Sequence, residues 1–109
     1  MNMIKSKAAN GKLPKTKLVR EMYGGEWYEY YPLGKHVVAA PGVCGGRPTF
    51  KYTRLEVSMI LALLAAGESA EEIVRDYADR RLMLGAVKEA IRIADKNLLK
   101  ATRSLRKAA

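Results

Sequence analysis

The apolar positions of this chain fall into two regimes, a short-period one before residue 55 and a helical one after it. Trp27, Tyr28, Tyr30 and Tyr31 are good strand formers, Pro32-Leu33-Gly34 is turn chemistry, and His36-Val37-Val38 can pair back, which predicts a β-hairpin. Pro41-Gly42 and Gly45-Gly46 enclose a tight loop around Val43 and Cys44. Pro48 biases Arg47 to an extended conformation, so Pro48 to Thr53 reads as another short strand. From Glu56 the period is helical: Val57, Met59, Ile60, Leu61, Leu63 and Leu64 make a helix apolar nearly all round, expected at the centre of the core and capped by Gly67. Ser69-Ala70-Glu71-Glu72 has the spacing of a capping box, with Ser69 accepting from the Glu72 amide while the Glu72 side chain reaches back. Ile73, Val74 and Tyr77 give this second helix its buried face. Leu84, Val87, Ile91, Ala94, Leu98, Ala101 and Leu105 then recur at spacings of three and four, a seam that predicts a long third helix. Its second half extends past the other two helices, toward a second subunit or the hairpin.

Charge changes this picture more than composition does. The 109 residues are 49% hydrophobic, ordinary for a globular chain, but the formal net charge is +9. Residues 1–20 carry six Lys or Arg and no acid, and residues 80–109 carry nine against Glu89 and Asp95, so two basic ends flank a mildly acidic middle. The first 22 residues lack sustained periodicity and read as a flexible basic arm. Residues 23–109 read as one domain: hairpin and strand region 23–54, helical core 55–95, basic helical extension 96–109. On the third helix Lys88, Arg92, Lys96 and Lys100 follow at steps of four, and Arg103 and Lys107 continue the row. Such a stripe suits phosphate contact along a groove, because each neutralised phosphate releases counterions. A solubilising face beside a coiled-coil-like seam is the plainer reading.

Other chemistry is thin. Alternation puts Trp27, Glu29 and Tyr31 on one strand face and Tyr28 and Tyr30 on the other, which splits a base-stacking platform and favours packing roles. His36 and Cys44 are the lone residues of their kinds, too few for a zinc site, and nothing orients them as a nucleophile and base. Gly42, Gly45 and Gly46 are not followed by the Gly-Lys-Ser/Thr of a phosphate loop. No enzyme activity, cofactor or metal is expected. The run Val57 to Ala66 is too short to span a bilayer and the N-terminus lacks the apolar stretch of a secretory signal, so a cytoplasmic protein without membrane contact is expected.

Val43-Cys44-Gly45-Gly46-Arg47-Pro48, Thr53-Arg54, the apolar helix ending at Gly67, and Ser69 to Tyr77 together resemble the domain of unknown function 433 family, over roughly residues 35–95. The resemblance implies a mainly α (α+β) fold: a three-helix, homeodomain-like helix-turn-helix core, here with an N-terminal β-hairpin and a long basic C-terminal helix. Gly45, Gly46, Pro48, Thr53, Arg54, Gly67, Ser69 and Glu72 are its structural motif positions. It also implies an antitoxin-like protein, similar to the dimeric DNA-binding partners of PIN-domain ribonuclease toxins, with the third helix as recognition helix. Two departures stand out. Tyr52 replaces the family's Gly before Thr-Arg, so a left-handed conformation is not expected there. Met83-Leu84-Gly85-Ala86 replaces Thr-Leu-Glu-Asp at the start of the third helix, removing the cap and both acids, with Asp79 as an alternative cap one turn earlier. The expectation is a homodimeric regulator binding double-stranded DNA through Arg80, Arg81, Lys88, Arg92, Lys96, Lys100, Arg103 and Lys107, with a PIN-domain toxin as a further partner. Its rival is a protein-interaction or dimerisation module that binds no DNA.

Overall fold

The computed structural model describes residues 17–108, with side chains as far as Arg103. In chain order the strands are β1 (Val19–Tyr23), β2 (Glu26–Pro32), β3 (Val37–Ala39) and β4 (Pro48–Phe50), and the helices are α1 (Val57–Ala65), α2 (Ala70–Asp76) and α3 (Leu84–Ala108). Short 3-10 turns occupy Cys44–Gly46 and Ala78–Arg80.

The strands form one four-stranded antiparallel meander in the order β1-β2-β3-β4. The architecture is therefore α+β, which corrects the mainly α, homeodomain-like core with a simple hairpin. The hairpin of β2 and β3 is only the middle of this sheet. On one side β4 pairs with β3, Val37 opposite Phe50. On the other, β1 pairs with β2 from Val19↔Tyr30 to Tyr23↔Glu26. The strand signal of β1 was hidden because neither face is uniformly apolar: Glu21 lies between Val19 and Tyr23 on one face, and Arg20 shares the other with Met22. Arg20 reaches across to Glu29 at 3.3 Å and lies 4.1 Å over the Trp27 ring. The connecting Gly24 and Gly25 have φ of 61° and 83°, the pair of positive values that a two-residue hairpin turn needs. The basic arm expected to run to residue 22 thus gives way to a strand at Val19, and residues 1–16 lie outside the described part.

Apolar side chains gather in two clusters on opposite faces of β3. Val37 joins Phe50, Leu55, Val57, Ile60, Ile73, Leu82, Ala86, Val87 and Ala90 beneath the helices, while Val38 joins Tyr30 and Ala40 on the far side. In α1 only Val57 and Ile60 are buried, with Met59 40% exposed, so α1 borders the core rather than running through its centre. Ser69 caps α2, its Oγ accepting from the Glu72 amide at 3.1 Å while its own amide donates to Glu72 Oε1 at 2.8 Å. Gly67, between the two helices, has φ of 105°.

Asp79 does not start α3. It sits in the 3-10 turn, Arg81 follows in the left-handed region with φ of 59°, and the Met83 carbonyl accepts from Ala86 and Val87 at the head of the helix. At 25 residues α3 is about 37 Å long. Ala86, Val87 and Ala90 form its buried stripe, whereas Ile91 and Leu98 of the expected seam are exposed. Of the seam the core takes Val87, with Ala86 and Ala90 beside it, and α3 also presents Glu89 to the sheet. The Glu89 carboxylate accepts from the backbone amides of Lys35, His36 and Val37 at 2.8, 2.7 and 3.0 Å, clasping the β2–β3 turn. Among the described residues, no helix is long and apolar enough to cross a membrane.

Candidate nucleic-acid interface

The segment between β4 and α1 is folded back on itself by Thr53. Its amide and its Oγ1 both donate to the Phe50 carbonyl, at 3.0 and 2.7 Å, and Oγ1 accepts from the Leu55 amide at 3.0 Å. The tight turn puts Tyr52 at φ of 68°, the left-handed conformation not expected of a tyrosine, where an L side chain costs roughly 1–2 kcal/mol. Contacts with the β1–β2 hairpin hold it there. The Tyr52 amide donates to the Tyr28 hydroxyl at 3.0 Å, its hydroxyl donates to Glu21, and its ring stacks on Tyr23 with centroids 4.2 Å apart and planes within 10°. Lys51 lies 4.8 Å over the Tyr30 ring and 4.0 Å from Glu21. The hydrogen bond from Tyr52, aided by Lys51, holds the Glu21 carboxyl below its ordinary pKa, and the same bond raises the Tyr52 hydroxyl. Burial raises the Tyr28 hydroxyl, and contact with Tyr30 raises the Lys51 ammonium.

This aromatic wall faces the connection between α2 and α3 across a cleft of about 1050 Å³. Tyr23, Lys51, Tyr52, Thr53 and Arg54 line it from the sheet side, Lys35 and His36 from the β2–β3 turn, and Asp79, Arg80, Arg81, Leu82 and Met83 from the opposite side. Phe50, Leu55 and Ala86 supply its apolar floor. Among the described residues Lys35, Arg54, Arg80 and Arg81 enter no ion pair.

The expected DNA-contacting residues fall into two groups. Arg80 and Arg81 line the cleft. Lys88, Arg92, Lys96, Lys100 and Arg103 do not; all are exposed on α3, on the side away from Ala86, Val87 and Ala90. At about 100° per residue, the row drifts across roughly a third of the helix circumference. Lys107 lies outside the residues whose side chains are described. Of the structural motif, Gly45 and Gly46 have φ of 65° and 84° in the 3-10 turn, and Pro48 opens β4. Arg54 reaches the cleft, and its carbonyl accepts from Cys44 Sγ at 3.4 Å. Arg47 pairs bidentately with Glu56, at 2.8 and 3.1 Å, which lowers the Glu56 carboxyl and raises the guanidinium. The sequence reading missed Lys35, Lys51, Tyr23 and Tyr52 as cleft residues, and Glu89 as a clasp. The Gly24-Gly25 turn was the available signal for the hairpin and so for Tyr23; Glu89 left none, because its partners are backbone amides more than 50 residues away.

An α+β domain with a cationic, aromatic-walled cleft and a basic outer helix is the class these features define. The family described as Protein of unknown function (DUF433) matches residues 37–92, just over half of the chain, and the chain belongs to that family. The match takes in β3, β4, α1, α2 and the start of α3; β1, β2 and the outer part of α3 fall beyond it. No curated protein and no solved structure matches the chain.

Proposed function

We propose that this protein is a DNA-binding regulator of antitoxin type that engages duplex DNA through the outward face of α3. The observation that carries the reading is the row Lys88, Arg92, Lys96, Lys100 and Arg103. These side chains are exposed on one side of a helix and, among the described residues, none enters an ion pair. Five cations on phosphates correspond to a slope of about −4.5 in a plot of log K against log salt. Replacing Lys96, Lys100 and Arg103 with Ala should flatten that slope by about 3, at any duplex sequence. Undetectable duplex binding at low salt, or a slope unchanged in the triple variant, would refute the assignment.

The antitoxin reading carries a PIN-type ribonuclease as partner, to be sought by co-purification with the product of an adjacent reading frame. A second reading, assembly through α3, is favoured by the exposed side chains of Ile91, Leu98 and Leu99 at 41%, 67% and 50%. Leu84, Ile91 and Leu98 recur every seven residues, the spacing of one coiled-coil position, and a homodimer would cover them. The two readings coexist, because the cations lie beside this apolar line and not on it.

A further inference from the structure

We propose that the cleft between the β4–α1 turn and the α2–α3 connection is a nucleotide site, taking a planar base against the Tyr23–Tyr52 stack and a phosphate on Arg54, Arg80 and Arg81. This goes beyond the duplex reading, which concerns the other side of α3.

The volume, about 1050 Å³, is that of a small-molecule site (roughly 300–1,000 Å³ is usual) and holds a nucleotide with room for its sugar. The charge is one-sided: Arg54, Arg80 and Arg81, with Lys35 and Lys51 nearby, face Asp79 as the one acid among the described lining residues. Such a cleft repels cations and gives a phosphate several donors, including planar guanidinium forks suited to its oxygens. Beside Arg54, the sheet-side wall is aromatic. Tyr23 and Tyr52 are 44% and 40% exposed while stacked on each other, and Lys51 already lies 5.0 Å over the Tyr52 ring, so a flat ring would extend the stack on Tyr23. Backbone strain accompanies the cleft as well. Three non-glycine residues among those described have positive φ, and two of them, Tyr52 and Arg81, line it. Residues held in such conformations concentrate where a side chain must be aimed. A base alone would leave the arginines unused and a phosphate alone would leave the tyrosines unused; a nucleotide uses both.

Isothermal titration calorimetry of the full chain with adenosine 5′-monophosphate, adenosine and inorganic phosphate separates the two halves of the site. The monophosphate should bind at least about ten-fold tighter than either part, the factor expected from one base–aromatic stack. Arg54→Ala combined with Arg80→Ala should weaken it by at least that factor. Met83→Glu should do the same without lowering the melting temperature, because Met83 is exposed and a carboxylate suits the head of α3. A 5′-phosphorylated single-stranded oligothymidylate that displaces the monophosphate at lower concentration would identify the ligand as a strand end; the reverse order would identify it as a free nucleotide. No binding of either at millimolar concentration, phosphate binding as tightly as the nucleotide, or full binding in both variants would overturn the site. Duplex binding by the α3 cations is measured separately and survives that outcome.

Discussion

Replacing Glu89 should unfasten the sheet from the helices. Its carboxylate receives three backbone amides, two of them partly buried, at 2.7 to 3.0 Å. A hydrogen bond to a charged acceptor contributes roughly 1.5–3 kcal/mol, and an amide left unpaired away from water costs about 1–3 kcal/mol. The Lys35 amide is exposed, so water replaces Glu89 there and the loss comes from the amides of His36 and Val37. Glu89→Ala should therefore cost about 2–4 kcal/mol, a fall in melting temperature of roughly 10–25 °C for a domain of this size. Glu89→Gln keeps an acceptor oxygen without the charge and should cost about half as much. Burial by itself would raise the Glu89 carboxyl, but the amides of His36, Lys35 and Val37 outweigh it and hold the pKa below the ordinary 4.5. A folded pKa below the unfolded one means that this stabilisation is complete above pH 4.5 and is lost as the pH falls through the folded value. Urea unfolding of the native protein and Glu89→Gln should thus differ most near pH 7 and converge in acid. Equal midpoints at pH 7, or a gap that does not narrow on acidification, would refute the clasp. Gly34 supplies a control. A Cβ there would lie 2.6 Å from Glu89 Cδ, so Gly34→Ala should destabilise the native protein and do far less in the Glu89→Ala background.

Thr49 is wholly buried and its hydroxyl has no hydrogen-bond partner, so Thr49→Val should raise stability by about 1 kcal/mol in the same unfolding assay. Ser69→Ala deletes the hydroxyl that accepts from the Glu72 amide, leaving the Ser69 amide on Glu72, and should cost about 1 kcal/mol, with the loss of protection in amide exchange centred on α2. Leu98→Asp should leave the melting temperature of the monomer unchanged, because the side chain is 67% exposed, while sedimentation shows any dimer dissociating at higher concentration.

What could be read from the chain was local. The α1–α2 turn and its capping box are set by neighbours within a few residues, so Gly67, Ser69 and Glu72 carry the whole instruction. The pairing of β2 with β3 and the strand at Pro48 also rest on short patterns. What could not be read depended on partners far along the chain. The period of α3 fits two apolar stripes, and only the packing of Ile73, Leu82 and Val37 against it selects Ala86, Val87 and Ala90 over Ile91 and Leu98. Arg80 and Arg81 were legible as cations, but their grouping with Arg54, Lys35 and Lys51 follows from the β4–α1 turn facing the α2–α3 connection. The mainly α expectation failed for a related reason. It drew on the family segment, and β1, which extends the expected hairpin into a larger sheet, lies ahead of that segment.

Tyr52 ties the family segment to what precedes it. Its left-handed backbone costs energy that glycine would not, and its ring, amide and hydroxyl are all held by Tyr23, Tyr28 and Glu21 of the preceding hairpin. Each depends on the other: the tyrosine without the hairpin is a burden, and the hairpin without the tyrosine loses its anchor on the turn. Descent should therefore have kept them together. Across the family, an aromatic residue ahead of the Thr-Arg pair and a two-glycine hairpin upstream should be gained and lost as one character, with glycine marking the lineages that have neither.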